Sequence, residues 1–244
     1  ERITDRFATH YLAVSHAVKN RFISFGISAQ KITVIPNGIP ISPVPQKERE
    51  TISQSMRHEL HIPPHVCTIV VVGNLRKERG QRYVIQAFKE ALPKLKIPYH
   101  LLIVGDGPER QRLEQVVDFY HIRPHVQFLG FRNDVEALLT ACDIVVSSSL
   151  YEGMSNALLE AMAAERAIIA MDVPENRELI TDKVSGLLVW PKSVPQLCKA
   201  LLLLATDSVL RKKLGHAAYT QVQQYSIENT STMISKFLER FSSQ

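Results

Sequence analysis

The sequence is poor in the features that would place it in several common classes. Its three cysteines, Cys67, Cys142 and Cys198, are odd in number and widely separated. None forms a Cys-x-x-Cys pair, which excludes a disulfide framework and a cysteine zinc site. Such usage fits a reducing cytosol. No Asp-x-Asp triplet occurs anywhere, so paired-aspartate metal chelation has no signal. No apolar run approaches the ~20 residues that cross a bilayer; Ala200 to Ala205 reads as one face of a helix. The opening has no signal-peptide pattern. Aromatic and basic residues do not interleave in the single-strand-binding manner, which argues against nucleic acid. Internal repeats and low-complexity segments are absent.

What is present is an ordinary globular composition. The 244 residues are 45% hydrophobic and 22% charged, with a net charge of +5. That suffices for one domain with a buried core plus extra chain. The positive balance is that of a solvated basic surface, or of one drawn to phosphate on a ligand or an anionic membrane. The chain begins on Glu1, as expected of a fragment.

Short apolar runs alternate with amphipathic stretches. The runs Thr68 to Val72, His100 to Val104, Val126 to Leu129, Ile144 to Val146, Ala167 to Ala170 and Leu187 to Val189 are rich in Val, Ile and Leu and mostly unalternating. That pattern predicts strands buried on both faces. Helical patterns over Gln81 to Lys94, Pro108 to Tyr120, Asn133 to Ala141, Ser155 to Ala164 and Val194 to Ala205 lie between them or after the last. The expected fold class is therefore α/β, a doubly wound, Rossmann-like parallel sheet. Ligands then belong at the carboxyl ends of the strands.

The first 40 residues read separately. Tyr11 to Val14 predicts a strand, and His16 to Phe25 a helix capped by Ser15. Ile32 to Ile35 predicts a second strand, closed by the turn residues Pro36-Asn37-Gly38. Pro40 to Pro45, with three prolines, reads as a linker. The expected division is residues 1–42 as the tail of a preceding domain, 43–225 as the main domain, and 226–244 as a C-terminal helix over Ile227 to Phe241.

Four constellations bear on chemistry. The first is Tyr151 to Ala163, after the strand Ile144 to Val146 and the polar Ser147-Ser148-Ser149. Gly153 permits a tight turn, and Ser155 or Asn156 can cap the next helix, whose start suits a phosphate. Glu152 precedes that helix and Glu160 lies about one and a half turns inside it. Both carboxylates can accept from sugar or ribose hydroxyls, although two glutamates at that spacing could equally be surface residues. The second is Val72 to Gly80, where Gly73 precedes the cations Arg76, Lys77 and Arg79 at a strand's end. Such a loop can hold a diphosphate or be merely solvated. The third, Gly105-Asp106-Gly107, is a partial dinucleotide fingerprint with Arg110 at the third glycine position; it reads as a tight turn with Pro108 at the first helical position. The fourth, His58, His61 and His65, is interrupted by Pro63 and Pro64 and lacks a completing carboxylate or Cys, so no metal site is expected.

Taken in order, several pieces resemble glycosyltransferase family 4, the retaining enzymes of GT-B fold. They are Leu12 to Ser15, Lys31 to Ile39, Val72 to Gly80, Leu101 to Pro108, Val126 to Gly130, and Tyr151 to Ala163 with its Glu-x7-Glu. The resemblance covers nearly the whole chain from Tyr11 on. It implies the nucleotide-sugar-binding half of a two-domain enzyme of polysaccharide biosynthesis, hexosyltransferase in type. Glu152 would contact the donor sugar near the reacting centre, Glu160 the ribose hydroxyls, and Gly153, Met154, Ser155, Asn156 and Ala157 the phosphate or sugar through backbone N–H groups. The family's Gly-Arg-Leu…Lys-Gly clamp is represented by Gly73, Asn74 and Arg79; Arg79 is expected to keep its role, and Arg76 to replace the Arg missing at Asn74. Arg132, by its backbone, and Asp134 would meet the base.

The resemblance implies no cofactor and no metal, and a UDP- or GDP-linked donor. The acceptor, a glycan, a lipid-linked glycan or a small molecule, would bind the missing half. This part alone is expected to be inactive, and the enzyme to be cytoplasmic, with peripheral contact at the inner membrane face. A noncatalytic nucleotide-sugar-binding subunit with a separate partner chain, an epimerase of similar paired-domain fold, and a plain nucleotide-binding domain are the other readings.

Overall fold

The computed structural model describes residues 8–41, 43–95 and 97–242. The outermost residues of the expected first and last segments, and Ser42 of the expected linker, lie outside them.

Six strands form one all-parallel sheet: β3 (Cys67–Val72), β4 (Tyr99–Val104), β5 (Val126–Gly130), β6 (Ile144–Ser147), β7 (Ala167–Met171) and β8 (Leu187–Val189). Their spatial order is β5-β4-β3-β6-β7-β8. The direction of winding thus reverses between β3 and β6, and a cleft opens beyond their carboxyl ends. The doubly wound sheet expected from the sequence is the one observed.

The unalternating apolar strands have a simple cause. Ile69 and Val71 of β3 face one core, and Val70 faces the other. Leu101 and Ile103 alternate in the same way with Leu102 and Val104, and Ile144 and Val146 with Val145. Both faces are covered, so neither can be polar. Helices α3 (Gln81–Ala91), α4 (Arg110–Phe119) and α8 (Val194–Thr206) pack on the first face. Helices α2 (Gln46–Glu59), α5 (Val135–Ala141), α6 (Asn156–Ala163) and α9 (Ser208–Val222) pack on the second.

Three helices have no counterpart in the sequence reading: α2, α7 (Pro174–Leu179) and α9. Helix α2 buries only Met56, so it has no apolar stripe to detect. It docks instead through Arg57, which donates to the carbonyls of Ala141 and Val66 and pairs with Asp143. One reading is corrected: Pro108 is not the first helical residue, because α4 starts at Arg110. Gly107 and Pro108 belong instead to a turn tied to the neighbouring loop, through the Glu109 N–H to the Leu75 carbonyl at 2.9 Å.

The first segment forms its own small sheet of β1 (Tyr11–Ala13) and β2 (Ile32–Val34), parallel and joined by α1 (His16–Ser24). Helix α10 (Ile227–Ser242) returns to it. The Ile227 N–H donates to the Ile39 carbonyl at 3.0 Å, the Thr230 hydroxyl to the Pro36 carbonyl at 3.2 Å, and Phe237 meets His10 edge-on. Leu12, Ile23 and Phe25, with Met233, Ile234 and Leu238 of α10, remain exposed.

Candidate functional site

The site assembles where the winding reverses. After β3, the chain turns at Gly73 and runs through Asn74 and Arg76 to Arg79 and Gly80. After β6, it runs through Ser147-Ser148-Ser149 to Glu152 and into α6. The two loops are stitched together. The Ser148 hydroxyl donates to the Arg79 carbonyl at 2.7 Å, and the Leu150 N–H to the Glu78 carbonyl at 2.9 Å. Gly80 sits at φ +71, and a Cβ there would lie 2.2 Å from the Ser148 carbonyl oxygen. Only glycine allows this approach.

The cation loop is also braced from β4. The Leu75 N–H donates to the Asp106 carbonyl at 2.9 Å, and a Cβ on Gly107 would meet the Leu75 oxygen at 2.6 Å. The partial glycine fingerprint therefore serves close packing of one loop on another. Buried Gln81 adds a bond from its amide nitrogen to the Asn74 carbonyl, 3.0 Å.

Arg79 and Glu152, separated by 73 residues, form an ion pair through Arg79 Nη1 and Glu152 Oε1. The Ser149 hydroxyl donates to that same carboxylate oxygen. The pair borders a small cavity of about 10 Å³ between β3, β6 and the start of α6. Ser155 caps α6, its hydroxyl oxygen accepting from the Leu158 N–H. None of the hydrogen bonds among the described residues uses the N–H of Asn156 or Ala157, so the helix start keeps donors for an anion. Met154 is buried, while the Asn156 side chain is exposed and accepts from Asn37 at 2.8 Å.

Glu160 lies half-buried one turn further on. It lines a separate cleft of 290 Å³ with Asn133, Val135, Glu136, Ile39 and Pro40. Its carboxylate has no hydrogen bond or ion pair among the described residues. Burial, and secondarily the like charge of Glu136, raises its pKa above the ordinary glutamate value. An uncompensated acceptor in a cleft is poised for hydroxyl donors.

The remaining predicted residues are placed less centrally. Arg76 is exposed, and its guanidinium has no partner among the described residues. Asn74 is exposed as well. Arg132 and Asp134 pair with each other at 2.5 Å, and Arg132 also reaches Glu59 at 2.8 Å. Their neighbour Asn133, rather than either of them, lines the cleft at Glu160. His58, His61 and His65 are exposed, and among the described residues no group of three or more His, Cys, Asp or Glu could hold a metal.

Sequence reasoning missed Ser149 as a partner of Glu152, although the serine triplet at a strand end was visible. It also missed the grip of the first segment on the Glu152 loop. The Ser15 hydroxyl donates to the Gly153 carbonyl at 2.8 Å. Glu178 accepts from the N–H groups of His16 and Ala17 at 2.9 and 2.7 Å, and Arg21 reaches buried Glu175 at 2.6 Å while lying 3.9 Å from the Tyr151 ring centroid. A larger cleft of 640 Å³, lined by Arg49, Arg57, Arg166 and Lys212, opens at the amino ends of β6 and β7. Its three arginines are already bound to carbonyls or carboxylates, and it lies away from the winding reversal.

Comparison with known proteins identifies the family and the fold. The family model for glycosyl transferases group 1 matches residues 53–221, and that for glycosyltransferase family 4 matches residues 1–42. One relative is the N-acetylgalactosamine-N,N'-diacetylbacillosaminyl-diphospho-undecaprenol 4-alpha-N-acetylgalactosaminyltransferase of Campylobacter jejuni, 27% identical over 203 residues, or 83% of this chain and 52% of that protein. Another is the UDP-Gal:alpha-D-GlcNAc-diphosphoundecaprenol alpha-1,3-galactosyltransferase of Escherichia coli, 28% identical over 75% of this chain and 48% of that protein. The chain spans about half the length of these relatives. Among solved structures, HepE of Anabaena in complex with UDP-glucose superposes with a TM-score of 0.88 at 24% identity, covering 98% of this chain and 66% of that one. At that identity the likeness is one of fold. Among the described residues, no helix is long and apolar enough to cross a membrane.

Proposed function

Since this chain belongs to the family of glycosyl transferases group 1, we propose that it is the donor-binding half of a retaining, metal-independent glycosyltransferase. The donor is a UDP- or GDP-linked sugar. The acceptor, a glycan or a lipid-linked glycan, binds a preceding half of which residues 1–42 are the end; residues 43–225 are the donor domain, and residues 226–244 contain α10, which packs back on the first segment. With a lipid-linked acceptor, the complete enzyme works at the inner membrane face.

The observation that carries this reading is the meeting of Arg79, Glu152 and the start of α6 at one strand-end cleft. As the sugar departs, negative charge grows on the diphosphate. Arg79 and the open N–H groups of α6 stabilise that charge more in the transition state than in the ground state. Glu152 takes sugar hydroxyls, Glu160 the ribose, and the Arg132–Asp134 segment frames the base. The two relatives named above, whose acceptors are undecaprenol diphosphate-linked sugars, support the lipid-linked class.

A thermal-shift and calorimetric screen of UDP-, GDP- and ADP-sugars in EDTA tests the reading. Binding of at least one nucleotide-sugar is expected. Binding of none, or binding that requires a divalent ion, would overturn it.

A further inference from the structure

Glu152 has two protein partners on one oxygen, and they differ in how freely they can move. The Arg79 side chain is long, flexible and 32% exposed, whereas the Glu152 side chain is 9% exposed. Ser149 is short and buried. It is flanked by the two stitches between the loops, the Ser148 hydroxyl to the Arg79 carbonyl and the Leu150 N–H to the Glu78 carbonyl. Arg79 Nη1 also donates to Ser149 Oγ at 3.3 Å, so the three groups form one closed triangle.

This triangle closes over a small cavity of about 10 Å³. Arg79 Nη1 is held by both Glu152 and Ser149, so a phosphate that takes Nη1 bidentately with the rest of the guanidinium must displace the carboxylate. A diphosphate carries more charge than a carboxylate and offers a guanidinium bidentate acceptors. It therefore wins the competition, but Glu152 must then be left with little water and one fewer donor, a costly state for an anion unless another donor remains.

Building on the nucleotide-sugar reading, we propose that Arg79 and Ser149 act as a relay on Glu152. The arriving diphosphate draws Arg79 off the carboxylate. Ser149 keeps it, holding Glu152 in position with the freed acceptor sites open to the sugar. In the free protein Glu152 is thus an internal competitor of the diphosphate, and Ser149 is a positioning residue.

The relay makes a prediction opposite in sign to a simple contact picture. UDP, GDP and ADP are titrated calorimetrically into the wild type, Glu152→Gln, Ser149→Ala, Ser149→Thr and the double variant Glu152→Gln/Ser149→Ala, with folding of each checked by circular dichroism. For whichever nucleotide binds the wild type, Glu152→Gln is expected to tighten binding about three- to tenfold, the scale of a partly exposed ion pair released from competition. Ser149→Ala is expected to weaken it by a similar factor, Ser149→Thr to stay within about twofold, and Ser149→Ala in the Glu152→Gln background to cost less than about twofold. Wild-type binding with Glu152→Gln no tighter would overturn the relay alone. So would a Ser149→Ala cost that is the same with and without Glu152, which would mark Ser149 as merely structural. Failure of the wild type to bind any of the three would sink the donor-site reading and the relay with it.

Discussion

Ser15 and Gly153, 138 residues apart, are joined by a hydrogen bond of 2.8 Å from the serine hydroxyl to the glycine carbonyl. The same hydroxyl oxygen accepts from the Val18 N–H at 3.1 Å and so caps α1. One side chain therefore both starts a helix in the first segment and braces the backbone next to Glu152. Ser15→Ala removes a cap and a buried bond, an expected loss of about 1–3 kcal/mol. Urea denaturation measures it; an unchanged midpoint would show that neither bond contributes.

Gly80 is held between Arg79 and the Ser148 backbone. In Gly80→Ala, a left-handed φ and a 2.2 Å approach to the Ser148 oxygen must both be relieved, at about 1–3 kcal/mol. Relief moves the Arg79 loop away from the serine loop, so nucleotide affinity should fall along with the melting temperature. A stable variant with undiminished affinity would show that the tight approach is irrelevant to binding.

Arg79→Ala should weaken nucleoside diphosphate binding by about 1.5–3 kcal/mol, the range of a charge-assisted contact. The lower end is expected because the side chain is a third exposed and solvent screens it. Arg76→Ala should cost less, since Arg76 points into solvent with no fixing partner among the described residues. If Arg76 proved the costlier loss, the clamp would lie on that side of the loop.

Glu160 separates stability from function. Its pKa is raised by burial and by Glu136, so the native state holds the proton more tightly than the unfolded chain. The sign follows: the charged carboxylate penalises the fold, and the penalty grows as pH rises through the raised native value. Glu160→Gln should therefore be at least as stable as the wild type at neutral pH, by thermal melting, while binding nucleotide more weakly. The ionised carboxylate accepts from ribose hydroxyls more strongly than the protonated acid, so wild-type affinity should rise with pH through that range, and the Gln variant should show no such rise.

Several elements could be read in the chain because their causes are local. Val70, Leu102 and Val145 are as apolar as their neighbours because both faces of the sheet are covered, and that leaves an unbroken run in the sequence. Ser15 and Ser155 mark helix starts because a cap acts over three residues. Helices α2 and α9 escaped for the converse reason. Their docking depends on a few residues, such as Arg57 on Asp143 and Leu214, Ala218 and Val222 in the core, and no continuous stripe announces it. Pro108 was misplaced because the Gly105–Glu109 turn is held by Leu75 on another loop, a partner that local propensity does not register.

The parallel α/β class, most strand and helix positions, and the placement of Glu152 and Glu160 at a helix start after a buried strand follow from local patterns in the chain. The tertiary structure decided that Glu152 meets Arg79 and Ser149 while Glu160 faces a different cleft, that the glycine fingerprint braces a loop, and that Ser15 reaches Gly153. The physical reason is range. Periodicity and capping act within a few residues, whereas the order β5-β4-β3-β6-β7-β8 brings together loops some 70 residues apart, and only their packing selects which side chains touch.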